Sequence, residues 1–164
     1  MGRSFRNCSA LLLVCLAANA GARSTSHTYR VVGVSDGDTL TALSAEQRQL
    51  KCRLYGIDAP EKKQAFGQAS KLSLSQLSYG RTARIEVMGR DRYGRSICRI
   101  EVGGVDVNRE QIARGMAWMY RQYSDDLEYS HAETVARARR IGIWRQVAPV
   151  PPWSFRKSAR NKAA

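Results

Sequence analysis

Residues 28–43 read TYRVVGVSDGDTLTAL, two runs rich in β-branched side chains on either side of an Asp-Gly dipeptide. β-Branched residues favour strands, and Asp-Gly between two such runs is a strong short-range signal for a tight hairpin turn. The stretch therefore predicts the first two strands of an antiparallel sheet, joined at Ser35-Asp36-Gly37-Asp38.

Further strand and helix patterns follow this hairpin. Strand-like patterns recur at residues 49–57, 82–88 and 95–102, and helical spacing occurs at 66–77, 107–114 (with Asn108 as N-cap) and 127–140. Five strands, with one helix between the third and fourth and helices at the end, is the order of elements in an OB-type barrel. We therefore predict an α+β, mainly β domain over residues 28–146, a five-stranded OB-type barrel with about three helices.

The first 22 residues have the features of a cleaved signal peptide. Arg3 and Arg6 precede an apolar run over residues 10–18, and small residues follow it up to Ala22. The apolar run is shorter than the roughly 20 residues that a membrane-spanning helix needs. We expect a secreted or periplasmic protein that is not attached to a membrane after cleavage.

The composition is that of a globular domain with an unusual excess of positive charge. The 164 residues are 43% hydrophobic and 25% charged, which excludes collagen-like and wholly disordered chains. Lys and Arg outnumber Asp and Glu by 27 to 14, and loss of Arg3 and Arg6 on cleavage lowers the formal net charge from +13 to +11. Such a charge predicts attraction to a polyanion, with nucleic acid as the first candidate, but does not by itself indicate catalysis. The basic segment 147–164 is expected to be a flexible or extended tail.

Acidic residues follow the predicted strand ends and have arginines near them. Asp38 follows the first turn, Asp58 follows the third strand, and Glu61 comes three residues later. Carboxylates are ligands for hard divalent cations, although any one of these acids taken alone also fits a turn former. Arg53 precedes Asp58 on the same predicted strand, and Arg95 stands at the start of another. Guanidinium groups bind phosphate through two parallel hydrogen bonds. Together the set suits phosphoryl transfer.

Three blocks of this sequence resemble the signature blocks of the staphylococcal nuclease (thermonuclease) family. They are residues 34–39 (VSDGDT), 52–61 (CRLYGIDAPE) and 91–95 (DRYGR), and the resemblance extends in order from about Tyr29 to Arg145. It implies a five-stranded OB barrel with three helices and a Ca²⁺-dependent hydrolase of DNA and RNA phosphodiester bonds.

The resemblance also implies a role for each matching residue. Asp38 and Asp58, with the backbone carbonyl of Ala59, would hold the Ca²⁺ ion, and Asp36 would lie just outside its ligands. Arg53 and Arg95 would bind and neutralise the phosphate that is cleaved. Glu61 would orient or deprotonate the attacking water.

Two tyrosines beyond this set are candidates for substrate contact. Arg121 stands where the family has a tyrosine near the nucleotide base, and Tyr120 and Tyr123 lie beside it. Stacking of these tyrosines on a base depends on the register of the segment, and packing is the alternative for Tyr120. Ala59 stands where the best-known member of the family has threonine. A carbonyl ligand survives that change, but a hydroxyl contact does not.

A secreted OB-fold protein that binds nucleic acid without cleaving it is the alternative function. Degenerate members of the family lose their acidic and arginine residues, whereas this chain has Asp38, Arg53, Asp58, Glu61 and Arg95. The enzyme is therefore favoured, because residues of the site rather than the fold decide function. We expect it to act as a monomer, with DNA and RNA as substrates.

The two cysteines that remain after cleavage are candidates for a disulfide. Side chains alternate along a strand, so Cys52 points away from Arg53, and Cys98 points away from Arg95. If both arginines face the active-site groove, both cysteines face the barrel core. The implied strand order makes their strands neighbours, and an oxidising compartment permits a bridge. Two buried thiols are the alternative. A zinc site is not indicated, because the cysteines are 46 residues apart and belong to no CxxC pair.

Overall fold

The computed structural model describes residues 26–162, and the predicted signal peptide lies outside them. Its strands are β1 (Ser26–Asp36), β2 (Thr39–Leu43), β3 (Gln49–Leu54), β4 (Ile57–Asp58), β5 (Thr82–Arg90), β6 (Ser96–Val102), β7 (Val105–Asp106) and β8 (Trp118–Met119). Its helices are α1 (Gly67–Ser78), α2 (Val107–Ala113), α3 (Leu127–Ala138), a 3₁₀ turn (Gly142–Arg145) and α4 (Pro152–Asn161). Within residues 26–162, no helix is both long and apolar enough to cross a membrane.

Five strands form a closed barrel in the order β3-β2-β1-β5-β6, which confirms the predicted OB-type fold. The neighbouring pairs are antiparallel, except that β3 and β6 run parallel where they close the barrel. The 11-residue β1 pairs with both β2 and β5, and two irregularities in its register with β2 allow it to bend. The short β7 pairs antiparallel with the end of β6, and β4 pairs separately with β8.

The hairpin of β1 and β2 turns at the predicted Asp-Gly dipeptide. Asp36 pairs with Thr39, and Leu40 and Ala42 point into the core from β2. The turn packs closely against the rest of the domain: a Cβ on Gly37 would lie 1.8 Å from Ser70 Oγ and 2.8 Å from Ala59 Cβ. Only glycine allows the turn to approach α1 this closely.

Apolar side chains from alternate strand positions and from three helices fill the barrel. β6 shows the alternation in full, with every second residue from Ser96 to Val102 buried. Leu74 of α1, Ile112 of α2 and Tyr129 of α3 close the core from outside the strands. A smaller cluster of Trp118, Ala136, Ile143 and Trp144 lies beside it, with Phe66 and Trp153 packed against it.

The N-cap of α2 differs from the prediction. The cap is Asp106, whose carboxylate accepts the N–H of Arg109. Asn108 is instead completely buried in the first turn, where it accepts the N–H of Ile100 and donates to the carbonyls of Tyr55 and Cys98. An amide with both donors and acceptors can satisfy strand groups that a cap would leave unpaired.

The C-terminal segment also differs from the prediction, because residues 152–161 of the expected flexible tail form α4. Pro152 at the first helical position has its backbone angle already set for a helix. Trp153 packs on the smaller apolar cluster, and Arg156 binds carboxylates elsewhere in the domain. These tertiary contacts stabilise a short basic helix that sequence pattern alone does not indicate.

Cys52 and Cys98 both lie in the core as free thiols, and the hypothesised disulfide stays a prediction. Across β3 and β6, Cys52 pairs with Ser96 and Cys98 with Leu54, so the cysteines are diagonal neighbours rather than direct partners. Their sulfurs lie 2.8 Å apart. The hydrogen bond with Cys98, followed by burial, raises the pKa of Cys52 and holds it as a neutral thiol.

The close approach at Gly37 yields a stability prediction. Gly37→Ala should lower the free energy of unfolding by about 1–3 kcal/mol, the usual cost of overpacking, because the new Cβ overlaps Ser70 and Ala59. Gly89→Ala is the matched control, since a Cβ there has open space and its φ is not positive. Urea unfolding of both variants measures the difference, and equal stabilities would contradict the packing argument.

Candidate active site

The carboxylates of Asp38 and Asp58 meet at one end of the barrel because backbone pairing holds their segments together. The Leu54 N–H donates to the Asp38 carbonyl at 2.8 Å, which places the hairpin turn against the end of β3. Asp58 lies in β4, directly opposite Trp118 of β8. Arg53 lies between them, since its partner in β2 is Thr39.

Arg53 joins the two aspartates through its guanidinium group. Its Nη2 donates to Asp58 Oδ1 at 2.7 Å, and its Nη1 contacts Asp38 Oδ1. The side chains are only 16% (Arg53), 8% (Asp38) and 1% (Asp58) exposed, so water screens these ion pairs weakly. Burial lowers the pKa of Arg53, and the attraction of Asp58 opposes that shift. The predicted cluster of Asp38, Arg53 and Asp58 therefore exists as a buried charged network.

Asp38 is fixed by further donors from its own turn and from β4. Its Oδ2 accepts the Ala59 N–H at 2.7 Å, and its Oδ1 accepts the Thr39 hydroxyl at 3.1 Å. Asp36 Oδ1 accepts the Asp38 N–H at 3.2 Å. Asp36 thus orients the turn that carries Asp38, next to the site rather than inside it.

Arg95 reaches the same region from the turn before β6. Its Nε donates to Asp91 Oδ2 at 2.7 Å, and its Nη1 donates to the Thr39 hydroxyl at 3.3 Å. Thr39 therefore connects Arg95 to Asp38. Sequence reasoning did not identify Asp91 and Thr39 as the residues that orient Arg95, although both belong to the signature blocks.

Glu61 lies in a short loop, and hydrogen bonds within that loop hold it together. Its N–H donates to Gln64 Oε1 at 3.1 Å, and its carbonyl accepts the Gln64 N–H at 2.8 Å. A Cβ on Gly67 would lie 2.1 Å from the Glu61 carbonyl, so the loop presses directly on the start of α1. The Glu61 side chain is 39% exposed and faces Asp58 across a shared arginine.

That arginine is Arg156 of α4, which the sequence analysis placed in the tail without a role. Its Nη2 donates to Asp58 Oδ2 at 2.8 Å, and its Nη1 donates to Glu61 Oε1 at 2.8 Å and to Asp58 Oδ1 at 3.2 Å. The hydrogen bond with Asp58 is the largest cause that raises the pKa of Arg156, and Glu61 adds to it. The Pro-Pro sequence before Trp153 is the signal that could have predicted a helix here.

The oxygen atoms of the cluster suit a hard divalent cation. Within residues 26–162, no three His, Cys, Asp or Glu side chains are grouped closely enough to hold a metal ion, so carbonyl and water ligands would have to complete the site. Asp38 Oδ2 and Asp58 Oδ2 each accept a single hydrogen bond and keep a lone pair. Carboxylates without thiolate or imidazole favour Ca²⁺ or Mg²⁺ over zinc.

Tyr120 lines a cleft, and Tyr123 packs against Tyr120. Their rings meet edge to face with centroids 5.0 Å apart, and Tyr120 also stacks on Trp153 at 5.4 Å with an interplanar angle of 6°. The cleft has a volume of about 350 Å³ and includes Trp118, the strand partner of Asp58. Tyr123 is 59% exposed and can meet a base, whereas one face of Tyr120 is already covered.

Known proteins are similar in sequence to this chain, over the barrel region or over most of its length. The family model described as "Staphylococcal nuclease homologue" matches residues 51–146. An "Uncharacterized endonuclease" of Haemophilus influenzae is 42% identical over 156 residues, or 95% of this chain and 87% of that protein. A protein of the same name from Escherichia coli O157:H7 is 38% identical, over 77% of this chain and 83% of that protein. "Staphylococcal-like nuclease CAN1" of Arabidopsis thaliana is 31% identical, over 81% of this chain and 39% of that protein.

The buried ion pairs predict a large stability loss when Arg53 is removed. Arg53→Leu should destabilise the domain by about 3–5 kcal/mol, because it leaves the carboxylate of Asp38 buried without its cation. Arg84→Leu removes an exposed arginine that pairs with Glu101, and should change stability by about 0.5 kcal/mol at most. Urea denaturation at neutral pH compares them, and a loss no larger than that of the control would refute the network.

Proposed function

The chain belongs to the staphylococcal nuclease family, and we propose that it is a secreted, calcium-dependent nuclease that cleaves DNA and RNA with little sequence specificity. The observation that carries the proposal is that Arg53 bridges the buried pair of Asp38 and Asp58, with Arg95 linked to Asp38 through Thr39. Nuclease activity on nucleic acid follows from the family. The choice of Ca²⁺, the export and the preference for single strands are our proposals.

Arg53 and Arg95 bind the phosphate that is cleaved. The ion pairs of Arg53 and the Asp91 and Thr39 contacts of Arg95 hold both guanidinium groups in place before substrate arrives. Donors fixed in advance stabilise the charge that develops on the phosphate oxygens in the transition state.

Glu61 orients or deprotonates the water that attacks phosphorus. The new bond joins the water oxygen to phosphorus, and the bond between phosphorus and the leaving oxygen breaks. The carboxylate of Glu61 lies at the edge of the cluster and is partly exposed, so water can reach it. Asp38, Asp58 and the Ala59 carbonyl would hold a divalent cation, which supplies positive charge to the phosphate oxygens when bound.

Substrate binding relies on charge and stacking rather than on base edges. The net charge of +11 after signal cleavage attracts the phosphate backbone through counterion release, so affinity falls as salt rises. Tyr123 offers an exposed ring for stacking, which every base can use. A flexible single strand can follow the barrel surface and present its bases there, which a duplex does less readily.

Binding without cleavage remains the second candidate function, and the basic charge favours it. It predicts tight binding to oligonucleotides with no turnover at any metal concentration. Arg53 contacts Asp38 and Asp58 directly, while Thr39 links Arg95 to Asp38 and Arg156 links Glu61 to Asp58; this connected set supports the enzyme. We also propose that residues 1–22 direct export and that the protein is a monomer.

The arginine geometry predicts the effect of conservative substitutions. Arg53→Lys and Arg95→Lys should each lower kcat at least ~10²-fold, the scale of losing one fixed donor, because lysine cannot form the paired hydrogen bonds. Arg84→Lys, on the outer face of β5, should leave kcat unchanged. If both lysine variants turn over at nearly the wild-type rate, these arginines only attract substrate.

Metal and strand dependence can be measured in one assay. Purified protein without residues 1–22 should digest heat-denatured DNA with Ca²⁺ and stop when the ion is chelated. Native duplex should be digested more slowly at the same salt concentration. Equal rates on both forms would contradict the single-strand preference, and cleavage that persists with chelator would contradict the metal requirement.

A further inference from the structure

Helix α4 inserts a positive charge into the carboxylate cluster. The Arg156 guanidinium bridges Asp58 and Glu61 through three hydrogen bonds of 2.8–3.2 Å. Neither carboxylate is near Arg156 in sequence, since more than 90 positions separate them. The contact therefore forms only when α4 folds back over the open end of the barrel.

These hydrogen bonds occupy the atoms that the proposed reaction needs. Within residues 26–162, Arg156 is the only donor to Asp58 Oδ2, the oxygen of Asp58 that Arg53 leaves open. It also engages Glu61 Oε1, and so competes with a water for that carboxylate. Asp58 is 1% exposed, so no second cation can approach this oxygen while Arg156 is in place.

Apart from Arg156, α4 is attached mainly through partly buried side chains of its first turn. Pro152 is its one buried residue, and Trp153 stacks on Tyr120. Just before the helix, Gln64 Nε2 donates to the Val150 carbonyl at 2.6 Å, which ties the segment to the loop of Glu61. The outer residues Lys157, Arg160 and Lys162 are exposed and basic. A helix with few buried groups can detach at a small cost in free energy.

We propose that α4 is an autoinhibitory latch, in which Arg156 occupies the site of a divalent cation on Asp58 and blocks Glu61. The inference rests on the proposed metal-dependent nuclease function. The latch opens by an exchange of partners: Arg156 moves to a substrate phosphate, Asp58 becomes free to hold a divalent cation, and Glu61 becomes free to meet water. Because each charge finds a new partner, opening leaves no buried carboxylate unpaired.

Calcium affinity without substrate tests the competition directly. Isothermal titration of the full mature chain with CaCl₂ should give an affinity for Arg156→Gln that is about 5- to 150-fold higher than that of wild type, the usual range of coupling between two sites. Arg160→Gln removes the same charge from an exposed position of the same helix and should match wild type. Higher affinity in both variants would mean a general charge effect and would overturn the latch.

A second variant opens the latch without touching its arginine. Trp153→Ala removes the stack on Tyr120 and should also raise calcium affinity, while hydrogen exchange within residues 152–161 becomes faster. In wild type, saturating Ca²⁺ should speed exchange in the same residues. Unchanged exchange on calcium binding would overturn the proposal, since it would mean that α4 stays in place.

The outcomes separate the latch from the nuclease function. If wild type and Arg156→Gln bind calcium equally and both cleave DNA, the latch is wrong and the nuclease proposal stands. If Arg156→Gln binds calcium as wild type does but cleaves more slowly, Arg156 assists the reaction, and the latch is again wrong. If neither protein binds calcium, both the latch and the calcium requirement fail.

Discussion

A guanidinium group beneath the surface of a barrel loses its hydration, and carboxylates must lie against it to offset that cost; Arg53 has two. Asp38 and Asp58 have the same need in reverse, because neither carboxylate is open to water. The turn of the first hairpin, the end of β3 and the β4–β8 pair all meet at this point. Thr39 extends the network to Arg95, so the geometry of the whole site depends on the buried ion pairs of Arg53.

The sequence was sufficient to predict the barrel and most of the site, because both depend on local patterns. Alternation along β3 and β6 predicted that Cys52 faces the core while Arg53 faces the site, and the structure agrees. Alternation fixes a direction but not a register. The diagonal offset of Cys52 and Cys98 therefore appears only once the parallel pairing is known.

The residues that sequence reasoning missed are those whose position depends on tertiary contacts. Helix α4 has a single buried residue, so it lacks the apolar stripe by which an amphipathic helix is identified. Its conformation depends on the stack of Trp153 and on carboxylates from distant segments. Asn108 was misread for a similar reason: an asparagine near a helix start is usually a cap, but this one pairs with strand groups.

The parallel closure of the barrel also governs when activity can first exist. Strands β3 and β6 are distant in sequence, and forming such non-local pairs requires a large loss of chain entropy before any contact compensates for it. Arg53 lies in β3 and Arg95 directly precedes β6, so the two arginines come together only when these strands pair. A newly made or unfolded chain carries every catalytic side chain and yet has no site. In the proposed nuclease, cleavage of nucleic acid therefore begins only when this part of the fold has formed.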